Sequence, residues 1–162
     1  MRKTNAMRLL EARQIPYQAH AFDAEVHSAQ ALADVLGVHP SQVFKTLVVV
    51  REKGRPLLIM VPGDKELDLK SVASKLGEKR LCMASQKEAE QLTGLQVGGI
   101  SALALLNKGF DVYADQEILS WSSVIVSAGC RGLDVSLRPQ DLLLVTGAQT
   151  IPAISKKDEE VE

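Results

Sequence analysis

Lys45 is the residue whose type and position first suggest chemistry. It lies in the run from Val43 to Val50, which is rich in β-branched side chains and predicts a central β-strand. Alternation along a strand places its side chain on the same face as Val43, Leu47 and Val49. Burial on an aliphatic face disfavours the ammonium unless an anion compensates, which points to an anionic ligand. The alternative is a lysine at the strand edge whose methylenes lie on the protein while the ammonium reaches water.

A pair of glycines opens the segment Gly98-Gly99-Ile100-Ser101. Adjacent glycines let a backbone approach a ligand closely and direct N–H groups at an oxyanion or a phosphate. The spacing matches neither the dinucleotide-binding motif GxGxxG nor the phosphate-binding motif GxxxxGK[ST], so neither site is supported. A Gly-Gly pair on its own is also compatible with a simple turn.

A third candidate segment runs from Ser127 to Asp134, where a strand leads through a glycine-containing turn into another strand. The guanidinium of Arg131 could bind a phosphate or carboxylate, and Asp134 could orient a hydroxyl or an amine. The alternative is a tight hairpin with both side chains on the surface.

Other chemistries lack a sequence pattern. The histidines His20, His27 and His39 have neither the HExxH spacing nor another short paired spacing, so no metal site is predicted. No serine lies in a GxSxG motif, which argues against a serine-hydrolase triad. Cys82 and Cys130 are far apart and form no CxxC pair, as expected of reduced thiols. We therefore predict no metal and no cofactor.

Composition restricts the class of protein. The chain has 162 residues, 46% of them apolar, and a net charge of -1. One compact domain is predicted over residues 1–155, followed by a charged tail, 156–162, that we expect to be disordered. A net charge near zero gives no general attraction to DNA, so an RNA contact needs a local basic patch. Without an apolar run of membrane-spanning length or a signal peptide, a soluble cytoplasmic protein with no membrane partner is expected.

The elements that position these residues can be predicted from caps, breakers and alternation. Helices are predicted to begin at the caps Asn5, Ser28, Asp68 and Ser85, the first ending at Pro16, with a further short helix near Asp141. Strands are predicted at 17–22, 43–50, 57–61, 81–83, 111–114, 124–127 and 133–137, the last being the final strand. The irregular alternation of helices and strands predicts an α+β fold, a mixed and mainly antiparallel sheet with packed helices.

Four segments in a fixed order resemble the landmarks of the YbaK/EbsC family. They are Gln42–Leu47, Leu67–Lys70, Val97–Ser101 and Arg131–Asp134, and the resemblance extends from about Met7 to Ala153. The same domain occurs as the editing insertion of bacterial prolyl-tRNA synthetases. The resemblance implies that family's editing-domain fold and deacylation of mischarged tRNA at its acceptor end, with prolyl-tRNA synthetase as a candidate partner.

The resemblance also implies roles for individual residues. Lys45 matches the family's essential lysine, which holds the 3′-terminal nucleotide of the tRNA. Gly98 and Gly99 match the glycine loop that faces the aminoacyl carbonyl, while Ser127 and Asp134 match polar positions that line the pocket. The predicted substrate-binding set is completed by Phe22, Ile100, Ser101 and Arg131. Attack on the ester by the substrate's own thiol or by a bound water would explain why no side chain has the pattern of a nucleophile.

Three positions depart from the family's pattern. Phe22 stands where cysteine-specific members resemble one another in having tyrosine, Ala102 replaces a proline, and Cys130 replaces a lysine. These differences concern the amino acid that is removed rather than the reaction class. The predicted activity is trans-acting deacylation of mischarged tRNA(Pro), first of all Cys-tRNA(Pro), with Ala, Ser or Thr as alternative amino acids.

Two alternatives to an enzyme remain at this point. One is a non-catalytic regulatory module that binds tRNA or a nucleotide, and the other is a purely structural partner of a synthetase. A basic stretch could contact the acceptor stem of the tRNA, or it could be a solvated helix face. Its residues are Lys65, Lys70, Lys75, Lys79 and Arg80.

Overall fold

The structure is a computed structural model that describes residues 2–26 and 28–155. Within these ranges the chain forms five α-helices and eight β-strands, which confirms the predicted α+β class. The predicted tail, 156–162, and His27 lie outside the described residues.

The helices are short and the strands fall into two sheets. The helices are α1 (Asn5–Ala12), α2 (Ala29–Leu36), α3 (Leu69–Leu76), α4 (Gln86–Thr93) and α5 (Pro139–Thr146). The strands are β1 (Gln18–Ala21), β2 (Phe44–Arg51), β3 (Leu57–Pro62), β4 (Leu81–Met83), β5 (Asp111–Asp115), β6 (Val124–Cys130), β7 (Leu133–Leu137) and β8 (Gln149–Ile151). Short 3-10 helices cover Pro40–Gln42, Leu103–Leu105 and Gln116–Ser120.

The two sheets meet where β2 begins. One sheet has the antiparallel order β1-β7-β6, and the other has the order β4-β2-β3-β5-β8. Pairing in the second sheet is antiparallel from β4 to β3 and parallel from β3 to β8. A parallel bridge between Val43 and Ile125 brings the start of β2 alongside β6. The predicted mixed and mainly antiparallel pairing is therefore confirmed.

Helix starts were predicted well where a side chain caps the backbone. The side chains of Ser28, Asp68 and Ser85 each accept a hydrogen bond from the N–H three residues further on, as predicted. The prediction for α1 was wrong at both ends. Thr4, not Asn5, is its cap, with the Thr4 hydroxyl accepting from the Met7 N–H, and the helix ends at Ala12 rather than near Pro16.

The final strand was missed. We predicted 133–137 as the last strand, but β8 follows it and pairs with β5 at the edge of the five-stranded sheet. β8 has three residues, two of them exposed, so it carries no alternation that could be read from the sequence. Its pairing depends on the tertiary fold.

Three clusters of buried apolar side chains hold the layers together. The largest joins α1, α5 and parts of both sheets. A second lies between α3 and the five-stranded sheet and includes Val49, and a third lies under α2 and includes Val43. Because Val43 and Val49 project from the same face of the β2 segment, α2 and α3 cover neighbouring parts of one side of the molecule.

Candidate functional site

The hairpin of β6 and β7 is the centre of the candidate site. Ser127 pairs with Asp134 and Cys130 pairs with Leu133, with a register shift between the two pairs. The shift is a β-bulge, a feature that commonly re-aims side chains next to active sites. The Ser127 hydroxyl accepts a hydrogen bond from the Gly129 N–H at 3.1 Å, which fixes the bulged backbone.

The glycine loop packs directly on the turn of this hairpin. A Cβ atom at Gly99 would lie 2.9 Å from backbone atoms of Cys130 and Arg131, so a residue with a side chain would displace the loop. Arg131 donates from Nε to the carbonyl of Val97 at 2.8 Å. The Gly99 N–H donates to the Gln96 carbonyl at 2.8 Å and closes a turn. That N–H is therefore already engaged, whereas no residue in the described ranges accepts a hydrogen bond from the Gly98 or Ile100 N–H.

Phe22 is attached to the other side of the same turn. Its N–H donates to the Gly132 carbonyl at 2.9 Å, and a Cβ atom at Gly132 would lie 2.8 Å from the Phe22 carbonyl oxygen. Gly132 has a φ of 83°, a conformation that favours glycine. The hairpin turn is thus held between Phe22 and the glycine loop, two segments predicted separately for substrate binding.

Cross-strand pairs extend the site along one face of the small sheet. His20 pairs with Asp134, which in turn pairs with Ser127, and directly opposed residues project from the same face. From the bridge between β2 and β6, the next residues on that face are Lys45 and Ser127. Four neighbouring strands therefore contribute polar side chains to one row.

Lys45 lies at the gap between two helices. It is half-buried on the β2 face whose other members pack under α2 and α3, as the sequence predicted. Among the described residues, none forms an ion pair or a hydrogen bond with its ammonium. An anionic ligand could therefore bind there without displacing a protein carboxylate.

Asp134 has the most perturbed ionisation in this row. It is 6% exposed, and burial raises the pKa of its carboxyl to about 7. No described residue donates a hydrogen bond to that carboxyl. Asp134 therefore changes charge in the neutral pH range, and a cationic or hydrogen-bond-donating ligand would favour its ionised form.

Some residues predicted for substrate binding turn their side chains away from this row. Ile100 belongs to the largest apolar cluster. Ser101 is 2% exposed, and its hydroxyl accepts from the Ala104 N–H at 3.3 Å, within its own segment of the chain. The contribution of these two residues to a ligand would have to come from their backbone groups.

The predicted RNA-contacting residues separate into two groups. Lys70, Lys79 and Arg80 line one hollow between α3 and the start of β4, whereas Lys65 does not line it. Lys65 lies in the loop after β3, where its N–H donates to the Pro62 carbonyl at 3.0 Å.

His20 was considered only as a metal ligand, and its place beside Asp134 was missed. Its Nε2 lies 3.0 Å from the Ser136 hydroxyl on the same face. Only the pairing of β1 with β7 brings these residues together, so no local spacing could have indicated it. Across the described ranges, no group of three metal-binding side chains is present, and no helix has the length and apolarity needed to cross a membrane.

Comparison with known proteins identifies the class that this fold and site define. The family model for the aminoacyl-tRNA editing domain matches residues 23–144. The chain belongs to the aminoacyl-tRNA editing domain family, which confirms the family predicted from the four sequence segments, and its enzyme class is aminoacyl-tRNA hydrolase.

Individual relatives cover the chain to different extents. EbsC of Enterococcus faecalis, a proposed Cys-tRNA(Pro)/Cys-tRNA(Cys) deacylase, is 39% identical over 157 residues, which span 96% of this chain and 95% of EbsC. The proline–tRNA ligase of Aquifex aeolicus is 30% identical over 102 residues, which span 63% of this chain but 18% of the ligase. The crystal structure of a proposed trans-editing enzyme for prolyl-tRNA synthetase matches with a TM-score of 0.81 and 28% identity, covering 96% of this chain and 99% of that one.

Proposed function

We propose that this protein acts in trans to deacylate mischarged tRNA(Pro), with Cys-tRNA(Pro) as its preferred substrate. The observation that carries the proposal is the meeting of Phe22, the glycine loop and the Ser127/Asp134 pair on one hairpin, with Lys45 on the adjacent strand. The similarity to EbsC along almost its whole length supports the choice of amino acid and tRNA.

Binding is assigned to the charged ends of this row. The ammonium of Lys45 holds the phosphate of the 3′-terminal nucleotide, which supplies the anion that a half-buried lysine lacks in the free protein. The ionised carboxylate of Asp134 accepts a hydrogen bond from the α-ammonium of the aminoacyl group. Together these contacts fix the acceptor end and the amino acid relative to each other, which is the main requirement for an ester that is already activated.

Polarisation of the ester carbonyl is assigned to the glycine loop. Since the Gly99 N–H is engaged with Gln96, the Gly98 and Ile100 N–H groups are the donors for the developing oxyanion. Gly99 itself has a different role. It lets the loop lie against the hairpin at 2.9 Å and so sets the direction of its neighbours' N–H groups.

The nucleophile for Cys-tRNA(Pro) is the substrate's own thiol. Its sulfur bonds to the carbonyl carbon, the bond from that carbon to the ribose oxygen breaks, and the thiol proton ends on that oxygen. The products are a cyclic thioester of cysteine and free tRNA. The chain needs no side-chain nucleophile for this step, because the reacting atoms all belong to the substrate.

A second candidate substrate follows from Phe22. This half-buried side chain offers no hydroxyl to the site, so a small apolar amino acid such as alanine is the alternative, with bound water as the nucleophile. Serine and threonine are less favoured, because Phe22 cannot hydrogen-bond their hydroxyls.

The test is deacylation of labelled Cys-, Ala-, Ser-, Thr- and Pro-tRNA(Pro), with and without prolyl-tRNA synthetase. Lys45→Ala and Lys45→Arg are run beside Lys108→Ala, which removes an exposed lysine from a loop outside the site. We expect rapid loss of Cys-tRNA(Pro), a loss of activity of at least about 100-fold for Lys45→Ala, and no change for Lys108→Ala. Saturable tRNA binding with no turnover of any substrate would contradict the proposal and favour a regulatory binding module.

A further inference from the structure

A hollow lies between α3 and the segment that leads into β4, away from the row that contains Lys45. Its volume is about 350 Å³. Leu69, Ala73 and Leu81 form its apolar floor and also belong to the cluster under α3. Lys70 and Ser74 line it from the helix.

The remaining walls make the hollow strongly basic. Lys79 and Arg80 line it together with Lys70, and the one acidic residue of the lining is Glu78. Glu78 forms an ion pair with the half-buried guanidinium of Arg51 at 3.0 Å, so its negative charge is already compensated within the protein. In the described part of the chain, Lys70, Lys79 and Arg80 have no ion-pair partner. Three exposed cations therefore converge on a concave surface without a matching anion.

The hollow adjoins the end of β2 that is farther from Lys45. Its floor is part of the α3 cluster, and α3 covers the face of β2 from which Lys45 projects. Leu81, in the floor of the hollow, pairs with Arg51, six residues along β2 from Lys45. At about 3.3 Å per residue, the hollow is about 20 Å from Lys45 along the strand. One nucleotide cannot touch both places, so a ligand that fills both must be a polyanion of some length.

We propose that the hollow is a second RNA subsite, which binds backbone phosphates of the acceptor stem while the 3′-terminal nucleotide is held at Lys45. The inference rests on the proposed function, since it takes the substrate to be a tRNA. Lys70, Lys79 and Arg80 supply charge-assisted hydrogen bonds to phosphate oxygens, and the Ser74 hydroxyl can donate another. Such contacts carry no base information, so they set affinity and orientation rather than the choice of tRNA.

The experiment separates this subsite from the site at Lys45. Fluorescence anisotropy measures binding of uncharged full-length tRNA(Pro) and of an oligonucleotide with only its four unpaired 3′-terminal nucleotides, each over a range of salt. The triple variant Lys70→Ala/Lys79→Ala/Arg80→Ala is compared with Arg2→Ala/Lys87→Ala/Lys108→Ala, which removes three exposed cations outside the hollow and outside the basic stretch. Both variants change the net charge by the same amount. A difference in tRNA affinity between them is therefore due to the positions of the substituted residues.

We expect the hollow variant to bind full-length tRNA at least tenfold more weakly, with a salt slope smaller by about 2 to 3. Its affinity for the oligonucleotide should stay that of the wild type, and its KM for mischarged tRNA should rise while kcat is unchanged.

Ser74→Asp keeps every cation but places a negative charge in the hollow, and it should also weaken tRNA binding, whereas Ser74→Asn should not. Equal affinities and salt slopes for the two triple variants would overturn the subsite, even if Lys45→Ala abolishes deacylation. Failure of deacylation by the wild type, with the hollow variant still impaired in tRNA binding, would instead overturn the catalytic proposal alone.

Discussion

Gly99 lies so close to the hairpin turn that a Cβ atom there would be 2.9 Å from the backbone nitrogen of Arg131. The atoms in the way belong to the backbone, so no rotamer change can relieve the contact. The same contact fixes the glycine loop against the strands that contribute Ser127 and Asp134. Loop position and hairpin position are therefore coupled.

Gly99→Ala should damage both stability and activity. Inserting a methyl group against backbone atoms typically costs about 1–3 kcal/mol, and we expect about 2 kcal/mol or more of the free energy of unfolding. Deacylase activity should fall by more than the loss of folded protein explains, because the loop that carries the N–H donors must shift. Denaturant unfolding and deacylation kinetics check this. Gly94→Ala is the control, since Gly94 has no atom near its Cβ position and loses only about 1–2 kcal/mol from its left-handed backbone.

Asp134→Asn should raise stability at high pH while it lowers deacylase activity. The pKa of Asp134 is raised from 3.8 to about 7 by burial, so the folded protein holds this proton more tightly than the unfolded chain. Stability contributed by the neutral carboxyl is complete below about pH 4 and is lost as pH rises through 7. The asparagine variant lacks this loss. It should therefore match the wild type near pH 4 and exceed it at pH 8 by one to a few kcal/mol, on the order of a pKa shift of this size.

Urea unfolding of both proteins at the two pH values measures that difference. The same variant should lose deacylase activity at pH 8, because the neutral amide of asparagine cannot form an ion pair with the α-ammonium of the substrate. A stability gap that is the same at pH 4 and pH 8 would mean that the carboxyl ionises in its ordinary range.

Local signals in the sequence were enough for part of this site. The side-chain caps at Ser28 and Asp68 and the strand around Lys45 depend on neighbouring residues, and they were predicted correctly. The four ordered segments also indicated the family. The predicted start of α1 was wrong because Thr4 and Asn5 are both good caps, so residue type alone does not decide between them.

Long-range relationships could not be predicted in the same way. The pairing of His20 with Asp134 joins positions 114 residues apart, and nothing near either residue specifies it. The engagement of the Gly99 N–H by Gln96 depends on the turn that the structure adopts. The half-buried ion pair of Arg51 with Glu78 likewise follows from the way α3 leads into β4.

Ala102→Pro should stabilise the loop that follows the glycines. Ala102 has a φ of -62°, which a proline ring can adopt without strain. Among the described residues, none accepts a hydrogen bond from its N–H. Proline lowers the conformational entropy of the unfolded chain, which should add about 0.4–1 kcal/mol to the free energy of unfolding. Denaturant titration measures this difference. A lower stability would mean that the ring collides with the buried surroundings of Ala102.

Arg51 should prove important for stability although it lies outside the row at Lys45. Its guanidinium pairs with Glu78 at 3.0 Å and with Asp111 at 3.1 Å, joining the end of β2 to the start of β4 and to β5. Arg51 is 15% exposed, and its partners are 23% and 40% exposed, so solvent screens the pairs in part. Arg51→Met should therefore cost about 1–3 kcal/mol, less than a fully buried pair. The pair of Arg138 with Asp141 is the control: because the Arg138 side chain is exposed, Arg138→Ala should cost less stability than Arg51→Met.

The same variant connects stability to RNA binding, because it leaves the carboxylate of Glu78 uncompensated in the basic hollow. Arg51→Met should weaken binding of full-length tRNA(Pro) at low salt, where charge interactions are least screened. Adding Glu78→Gln removes the uncompensated negative charge of Glu78 and should restore most of the affinity for tRNA(Pro), although Asp111 still lacks its partner. Anisotropy titrations of the single and double variants measure the coupling. If Glu78→Gln restores no affinity, the effect of Arg51 on binding would come from a displaced wall and not from the charge of Glu78.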